Sequence, residues 1–272
     1  PLPEASATAT NVCFGEQVSF GDSTTINSGS IAEWNWIFGD GNNSTVQNPT
    51  HTYSEAQTYV YSLQVVSNNG CTDNTSGAVT VYPLPVSEFQ MTSTSSCVSP
   101  ASVNLFNQSS GANQFQWNHD NGVVQTQFNS TAIFDTIGQY NIQLLVTNQF
   151  GCQDSSTQMF EVFPTVTAEF ESSNPTGCEP WEVEFTNLSE NGIDYAWDFE
   201  IGEGSEDENP THLFEEAGTY SVELIATGLG GCADTIQYTN LVTVWPNPTA
   251  SFEYTNIQDE IANGTIVFTN TS

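Results

Sequence analysis

The chain has 272 residues, 32 of them aspartate or glutamate, and no lysine or arginine, so its formal net charge is −32. A protein without cationic side chains cannot neutralise phosphate groups, which excludes nucleic-acid binding and attraction to anionic membrane surfaces. No stretch approaches the roughly 18 apolar residues that a membrane span needs, so we expect no membrane insertion of this segment. Burial, hydrogen bonds and disulfides must therefore stabilise the fold almost without ion pairs.

A period of about 80 residues divides the sequence into repeats. Trp36, Trp117 and Trp197 lie 81 and 80 residues apart, each in a segment where aromatic residues alternate with others. That alternation is typical of β-strands with one buried face. The same spacing separates three tyrosines that each open a second alternating segment: Tyr59, Tyr140 and Tyr220.

The first repeat, residues 1–82, shows strand patterns separated by turn residues. Asn68-Asn69-Gly70 predicts a hairpin between its last two strands, because Asn-Gly steps favour tight turns. In chain order, the predicted strands are Ala5–Thr10, Val18–Phe20, Trp34–Phe38, Tyr59–Val65 and Ala78–Tyr82.

The second repeat, residues 83–163, and the third, residues 164–245, follow the same plan. A fourth unit, residues 246–272, reaches Ile266–Ser272, which is similar to Val183–Ser189, and then stops. Since the chain begins with Pro1 and stops inside a repeat, we expect an excerpt of a longer secreted protein. The sequence predicts an all-β fold class with almost no helix: sandwiches arranged end to end and joined by short, semi-rigid proline linkers.

Two motifs of the first repeat resemble the PKD domain, an immunoglobulin-like β-sandwich: Trp36-Ile37-Phe38-Gly39-Asp40-Gly41 and Asn48-Pro49-Thr50-His51-Thr52-Tyr53. The third repeat is similar, through Trp197-Asp198-Phe199 and Asn209-Pro210-Thr211-His212. The second departs from the pattern, because Ala132-Ile133-Phe134 stands where the histidine segment belongs.

This resemblance implies a non-catalytic protein. Tandem PKD units with paired cysteines look like the repeat regions of large bacterial cell-surface adhesins, of the gliding-motility type exported by the type IX secretion machinery. We therefore expect an extracellular stalk that presents an adhesive tip, with the polysaccharide or protein ligand bound by regions outside this segment. The alternative is an accessory module that positions a secreted hydrolase on a polysaccharide or fibrous protein.

Six cysteines form three repeat-related pairs, which indicates an oxidising compartment. Fifteen pairings are open to six cysteines. Repeat symmetry favours bonds inside each repeat, namely Cys13–Cys71, Cys97–Cys152 and Cys178–Cys232. Zinc ligation is the rival interpretation, and it lacks any Cys-x-x-Cys motif.

Histidine and aromatic residues are the candidates for catalysis or sugar binding. His51 and His212 occupy equivalent motif positions, which favours a structural role, and His119 is predicted to be exposed in the altered turn of the second repeat. No histidine accompanies a nucleophile and an orienting carboxylate, so we expect no enzyme active site. The period-two spacing of the central rings favours core packing over a sugar platform, and Trp181 and Trp245 are the most plausible exposed aromatics.

Acidic and hydroxyl residues suggest two further sites. Asp198, Glu200 and Asp207 belong to a carboxylate cluster that could bind calcium, although a solvated acidic loop is the favoured interpretation. We expect no other cofactor. Ser23, Thr136 and Thr235 each follow an aspartate and resemble a short bacterial O-glycosylation motif.

Overall fold

The computed structural model describes residues 2–200, 202–257 and 265–272, and nearly all of its regular structure is β-strand. A three-residue 3-10 turn at Leu229–Gly231 is the exception among these residues. The predicted all-β fold class is therefore confirmed. None of the helical structure in the described part of the chain is long and apolar enough to cross a membrane.

The strands recur with the period of the sequence. Those of the first repeat are β1 (Pro3–Glu4), β2 (Ala7–Ala9), β3 (Val12–Cys13), β4 (Val18–Asp22), β5 (Thr25–Ile26), β6 (Ile31–Ile37), β7 (Asn43–Ser44), β8 (Thr50–His51), β9 (Thr58–Ser67) and β10 (Thr72–Tyr82). Those of the second are β11 (Phe89–Met91), β12 (Ser95–Ser96), β13 (Ala101–Asn107), β14 (Gln114–Asn118), β15 (Val124–Gln125), β16 (Ser130–Phe134), β17 (Gly138–Thr147) and β18 (Gln153–Val162).

The third repeat has the same succession of strands as the second repeat. Its strands are β19 (Phe170–Ser172), β20 (Thr176–Cys178), β21 (Trp181–Asn187), β22 (Asp194–Asp198), β23 (Gly204–Ser205), β24 (Thr211–Phe214), β25 (Gly218–Thr227) and β26 (Ala233–Trp245). Two further strands, β27 (Phe252–Ile257) and β28 (Thr265–Asn270), pair with each other beyond it.

Every repeat combines a three-stranded sheet with a five-stranded sheet, the two layers expected of a sandwich. The three-stranded sheets have the orders β2-β4-β8, β11-β13-β16 and β19-β21-β24. The five-stranded sheets have the orders β3-β10-β9-β6-β7, β12-β18-β17-β14-β15 and β20-β26-β25-β22-β23, and β1 and β5 form a separate pair. In the first and third repeats, a short strand runs parallel to the end of the long last strand (β3 with β10, β20 with β26).

Contacts divide the chain into two compact units. One comprises the chain up to Thr94 together with Ser102–Phe134 and Gln139–Glu161. The other comprises Ser95–Ala101, Asp135–Gly138 and Val162–Ser272. Two short segments of the second repeat thus pack with the residues that follow it.

The alternating segments form the core, as their spacing predicts. Along β9 the residues Tyr59, Tyr61, Leu63 and Val65 are all buried, whereas the intervening Val60 is 66% exposed. On the corresponding faces of β17 and β25 the tyrosines, Tyr140 and Tyr220, are half-buried, and the residues that follow on the same face are buried: Ile142, Leu144 and Val146 on β17, and Val222, Leu224 and Ala226 on β25. This alternation places one face of each long strand against the opposite sheet.

The central tryptophans are core residues that also fix a loop. Trp36 and Trp117 have no exposed surface, and Trp197 is 4% exposed. In each repeat the indole Nε1 donates a hydrogen bond to a backbone carbonyl of the following loop, at 2.9–3.3 Å; the acceptors are Gln47, Asp207 and Gln127. Since a buried indole N–H needs a partner, this bond couples the core to the loop.

The second repeat lacks a histidine–phenylalanine stack that the other two repeats share. In the first and third, a histidine stacks on the phenylalanine that directly follows the tryptophan strand: His51 on Phe38 at 4.4 Å, and His212 on Phe199 at 4.2 Å between ring centroids. His119 instead takes the phenylalanine position of the second repeat and is 1% exposed, so its predicted exposure is wrong. The residue two positions after a core tryptophan continues the buried face, whatever its polarity.

Truncating a central tryptophan should leave a large cavity in its sandwich. We expect Trp117→Ala to destabilise the second repeat by about 3–5 kcal/mol, because a fully buried ring and its hydrogen bond are lost. Hydrogen exchange of peptides from β13 to β18 in the full chain measures this. The matched control is Trp245→Ala, whose ring is 59% exposed and whose loss should cost less than about 0.5 kcal/mol. Equal effects of the two substitutions would contradict the burial assignment.

His119 should make the second repeat sensitive to acid. Burial lowers the pKa of His119 below its ordinary value of 6.5, so the unfolded chain binds the proton more readily than the folded one. The contribution of the neutral ring to stability is therefore present above pH 6.5 and is lost as the pH falls below that value.

Replacing this ring by the residue that the other repeats carry provides the test. His119→Phe should reduce the loss of stability of the second repeat between about pH 7.5 and about pH 5. Hydrogen exchange at the two pH values, corrected for intrinsic exchange rates, measures it. The first repeat is the internal control, because it keeps its own histidine and aspartates. An unchanged pH dependence in the variant would argue against the role of His119.

Candidate functional site: the cystine joints between repeats

The disulfides join consecutive repeats. Cys13 of the first repeat bonds Cys152 of the second, 139 residues away, and Cys97 of the second bonds Cys232 of the third, 135 residues away. The Cα–Cα distances are 5.6 and 5.4 Å, which are normal for a cystine. Four cysteines are thus confirmed as disulfide partners. The remaining two, Cys71 and Cys178, are free thiols.

The expected bonds inside each repeat, Cys13–Cys71, Cys97–Cys152 and Cys178–Cys232, are therefore wrong. Cys71 lies just before β10 begins, and Cys13 is paired with Tyr82, where β10 ends. A strand of this length separates its two ends by roughly 35 Å, whereas cystine Cα atoms lie within about 7 Å. Cys232 and Cys178 stand in the same relation at the two ends of β26. Repeat symmetry is equally satisfied when the first cysteine of one repeat bonds the second cysteine of the next.

The first joint combines its disulfide with an aromatic stack. Tyr82, the last residue of β10, stacks on Phe150 with ring centroids 4.0 Å apart and an angle of 8° between the planes. The buried Asn148 donates its side-chain amide to the carbonyl of Pro83 at 2.9 Å. The bond, the stack and the hydrogen bond together attach the first repeat and its linker to the second repeat.

The second joint reaches the same result with different residues. Phe163, equivalent to Tyr82, lies directly over Gly230, where a Cβ atom would come within 2.2 Å of the ring. Gly230 also has a φ of +69°, so both its space and its backbone conformation require glycine. Thr165 donates its hydroxyl to the carbonyl of Cys97 at 2.9 Å. Cys232 is 1% exposed.

An aspartate two residues after each second cysteine holds the first strand of its repeat. The carboxylates of Asp73, Asp154 and Asp234 accept hydrogen bonds at 2.8–2.9 Å from the backbone N–H of Ala5, Ser87 and Ala168, respectively. Backbone hydrogen bonds from Ala5 and Asn74 lower the pKa of Asp73. This role was not predicted above, although the recurring Cys-x-Asp pattern is a usable sequence signal for it.

The carboxylates proposed for calcium are engaged in turns. Asp198 accepts a hydrogen bond from the backbone N–H of Glu200, and Glu200 accepts one from Ser221. The side chain of Asp207 accepts one from the hydroxyl of Ser205 at 3.3 Å. Among the described residues, no group of three histidine, cysteine or acidic side chains is arranged to hold a metal ion. Calcium binding stays a prediction, which titration of the chain with calcium would test.

The remaining candidate residues are hydroxyl and aromatic side chains. Ser23, Thr136 and Thr235 are all exposed, the first after β4, the second before β17 and the third within β26, and their glycosylation stays a prediction. Trp181 is half-buried against the core of the third repeat, whereas Trp245 is 59% exposed.

Removing the aspartate acceptor should loosen the start of a repeat. We expect Asp234→Ala to destabilise the third repeat by about 1–3 kcal/mol, because the N–H of Ala168, which is 4% exposed, loses its partner. Urea unfolding of the full chain, followed by hydrogen exchange of β19 and β26, measures the loss. Asp234→Asn is the matched control, since its amide oxygen still accepts the bond. An equal loss in both variants would show that charge, rather than the hydrogen bond, is responsible.

Comparison with known proteins agrees with this architecture. The PKD domain model matches residues 1–82 and 161–244, which leaves out most of the divergent second repeat. Collagenase ColA of Bacillus cereus is 39% identical over 71 residues, a match that covers 26% of this chain and 7% of the collagenase. The chain therefore spans only a small part of that relative.

Solved structures provide two further likenesses. The PKD1 domain of the Vibrio cholerae metalloprotease PrtV is 27% identical, with a TM-score of 0.28, and covers 30% of this chain and 99% of its own. Three N-terminal domains of the outer capsid protein Hoc of bacteriophage RB49 are 12% identical, with a TM-score of 0.40, over 91% of this chain and 99% of theirs. The disulfides indicate an extracellular protein. Since the family model matches more than half of its residues, this chain belongs to the PKD domain family.

Proposed function

We propose that these repeats form a non-catalytic stalk of a large secreted adhesin on a bacterial cell surface. The stalk spaces and presents an adhesive tip, and the polysaccharide or protein ligand is bound outside this segment. The proposal includes export by the type IX pathway and no resident cofactor. The observation that carries it is the pair of disulfides between consecutive repeats.

A cystine between repeats restricts the joint more than the linker alone. Pro83-Leu84-Pro85 connects the first two repeats through a few bonds that can rotate. The Cys13–Cys152 bond adds a second covalent attachment, and the Tyr82–Phe150 stack adds a third contact. Two attachment points suppress bending and twisting about a single linker. A spacer that holds a tip away from a surface requires this stiffness.

The surface chemistry also supports a spacer. The chain carries 32 acidic residues and no lysine or arginine, so neighbouring molecules repel one another and stay soluble. Proteases specific for lysine or arginine find no cleavage site in it. The central aromatic rings are buried, and the coplanar Tyr82–Phe150 pair of the first joint is replaced at the second by Phe163 over Gly230. Neither the central rings nor the joint pair therefore forms a sugar-binding platform that the described repeats share.

Small-angle X-ray scattering of the chain tests the stalk. We expect an elongated particle about 90–120 Å long, from three sandwiches of roughly 30–40 Å each. The double variant Cys13→Ser, Cys152→Ser should show a broader distance distribution with more short distances, because the first joint can then bend. Cys71→Ser is the matched control, since it leaves both disulfides intact.

Two results would contradict the stalk: a compact particle, or a double variant that scatters like the control. Each sample is measured with and without about 1 mM calcium at matched ionic strength. If the chain becomes elongated only with calcium, the stiffness comes from calcium-dependent joints and not from the disulfides.

A second candidate function is an accessory module of a secreted hydrolase. The match to collagenase ColA favours it, because a segment similar to this chain occurs within a protein named as a collagenase. Cosedimentation with insoluble collagen or cellulose distinguishes the two functions. Binding that saturates would favour the accessory module, and recovery of the whole chain in the supernatant would favour the stalk.

A further inference from the structure

The two disulfides follow one rule. In each, the first cysteine of a repeat bonds the second cysteine of the repeat that follows it. Cys178 is the first cysteine of the third repeat, and Cys71 is the second cysteine of the first. These are the two thiols that the rule leaves without a partner among three repeats, and they are the two that are free.

Cys178 lies on a surface built like the first joint. It pairs with Trp245 on the neighbouring parallel strand, as Cys13 pairs with Tyr82. Tyr82 packs on Phe150 of the next repeat, but the equivalent Trp245 is 59% exposed. Trp245 and Cys178 are thus an exposed ring beside an exposed thiol. At the two joints described above, the next repeat contacts the equivalent ring and bonds the equivalent cysteine.

The β27–β28 pair likewise has exposed aromatic side chains that are buried in a complete sandwich. Its register pairs Phe252 with Asn270, as β11–β13 pairs Phe89 with Asn107. Phe89 is 2% exposed in its complete sandwich, whereas Phe252 is 63% exposed and Phe268, on the partner strand, is 65% exposed. The rest of a sandwich would bury these rings.

We propose that Cys178 and Trp245 form a docking face for a further PKD sandwich of the same repeat type, which includes β27 and β28. The second cysteine of that sandwich bonds Cys178, and the residue two positions before it packs on Trp245. By the same rule, Cys71 accepts the first cysteine of a sandwich placed before the first repeat. The disulfides thus form a ladder that extends at both ends.

Formation of each new disulfide removes two electrons from two thiols, and a disulfide oxidant such as oxidised glutathione accepts them. A thiolate attacks the oxidant to give a mixed disulfide and release one thiol. The second thiolate then displaces the other half, so two protein thiols are oxidised and one oxidant disulfide is reduced to two thiols. The proposal depends on repeat geometry alone and holds for a stalk and for an accessory module.

The test extends the full chain by the missing part of a sandwich. Residues 190–245 are added after Ser272, because Ser272 corresponds to Ser189 in the similar segments. The added segment contains one cysteine, a second copy of Cys232. After oxidative refolding with glutathione, maleimide labelling should find one reactive thiol, Cys71, instead of the three expected if the new pair stays open. Digestion with a glutamate-specific protease and mass spectrometry should then find Cys178 linked to the added cysteine.

A second extension tests the other end with a whole repeat. Residues 164–245 are placed before Pro1, so that the added copy of Cys178 precedes Cys71 by one joint. Labelling should then find two reactive thiols, the added copy of Cys232 and the original Cys178, instead of four.

Cys178→Ser in the first extended chain is the matched control, and it should restore reactivity to the added cysteine. The Cys13–Cys152 and Cys97–Cys232 bonds report that the original repeats have folded. If Cys178 in the first extended chain and Cys71 in the second both stay reactive while those bonds form, the proposal is overturned. A bond from the added cysteines to any other partner overturns it as well.

Discussion

The arrangement of the joints depends on the length of the last strand of each repeat. Strands β10 and β26 run from one end of their sandwich to the other, with a cysteine close to each end. A cystine is too short to bridge that distance, so these cysteines can meet only cysteines of a neighbouring repeat. The length of a core strand thus decides whether the disulfides stabilise single sandwiches or connect them. In this chain they connect them.

The lack of cationic side chains changes what the carboxylates do. In most proteins aspartate pairs with lysine or arginine, but here it accepts hydrogen bonds from backbone amides and from neutral side chains. Asp73 and its equivalents hold first strands, and Asp22 accepts a bond from the indole N–H of Trp34 at 2.6 Å. Burial opposes the charge of Asp22, yet its hydrogen bonds, led by those from Thr24, lower its pKa overall. The folded state therefore prefers Asp73 and Asp22 ionised, and acid weakens their contribution to stability.

Much of the fold could be predicted from the sequence, because alternation and period are local signals. The buried faces around Trp36 and Tyr59, the Asn69-Gly70 hairpin and the lack of helix all follow from residue spacing. The cystine pairing could not be predicted that way, since two pairings satisfy the same repeat symmetry and only the three-dimensional length of a strand distinguishes them. The predicted exposure of His119 was wrong for another reason: it was assigned to an altered turn, whereas its position two residues after Trp117 continues the buried face of that strand.

The two disulfides have a mechanical consequence, because the loops that they close overlap. One loop spans residues 13–152 and the other spans residues 97–232. The shortest covalent route from residue 13 to residue 232 crosses the first bond and runs along residues 152–232, about 80 residues in place of about 220, and this route limits how far a force can separate the two ends of the chain. Even after every sandwich had unfolded, that part could stretch only to roughly 280 Å, against more than about 700 Å for the reduced chain. The oxidised protein thus acts as a tether of limited extension, and reduction would release the remaining length.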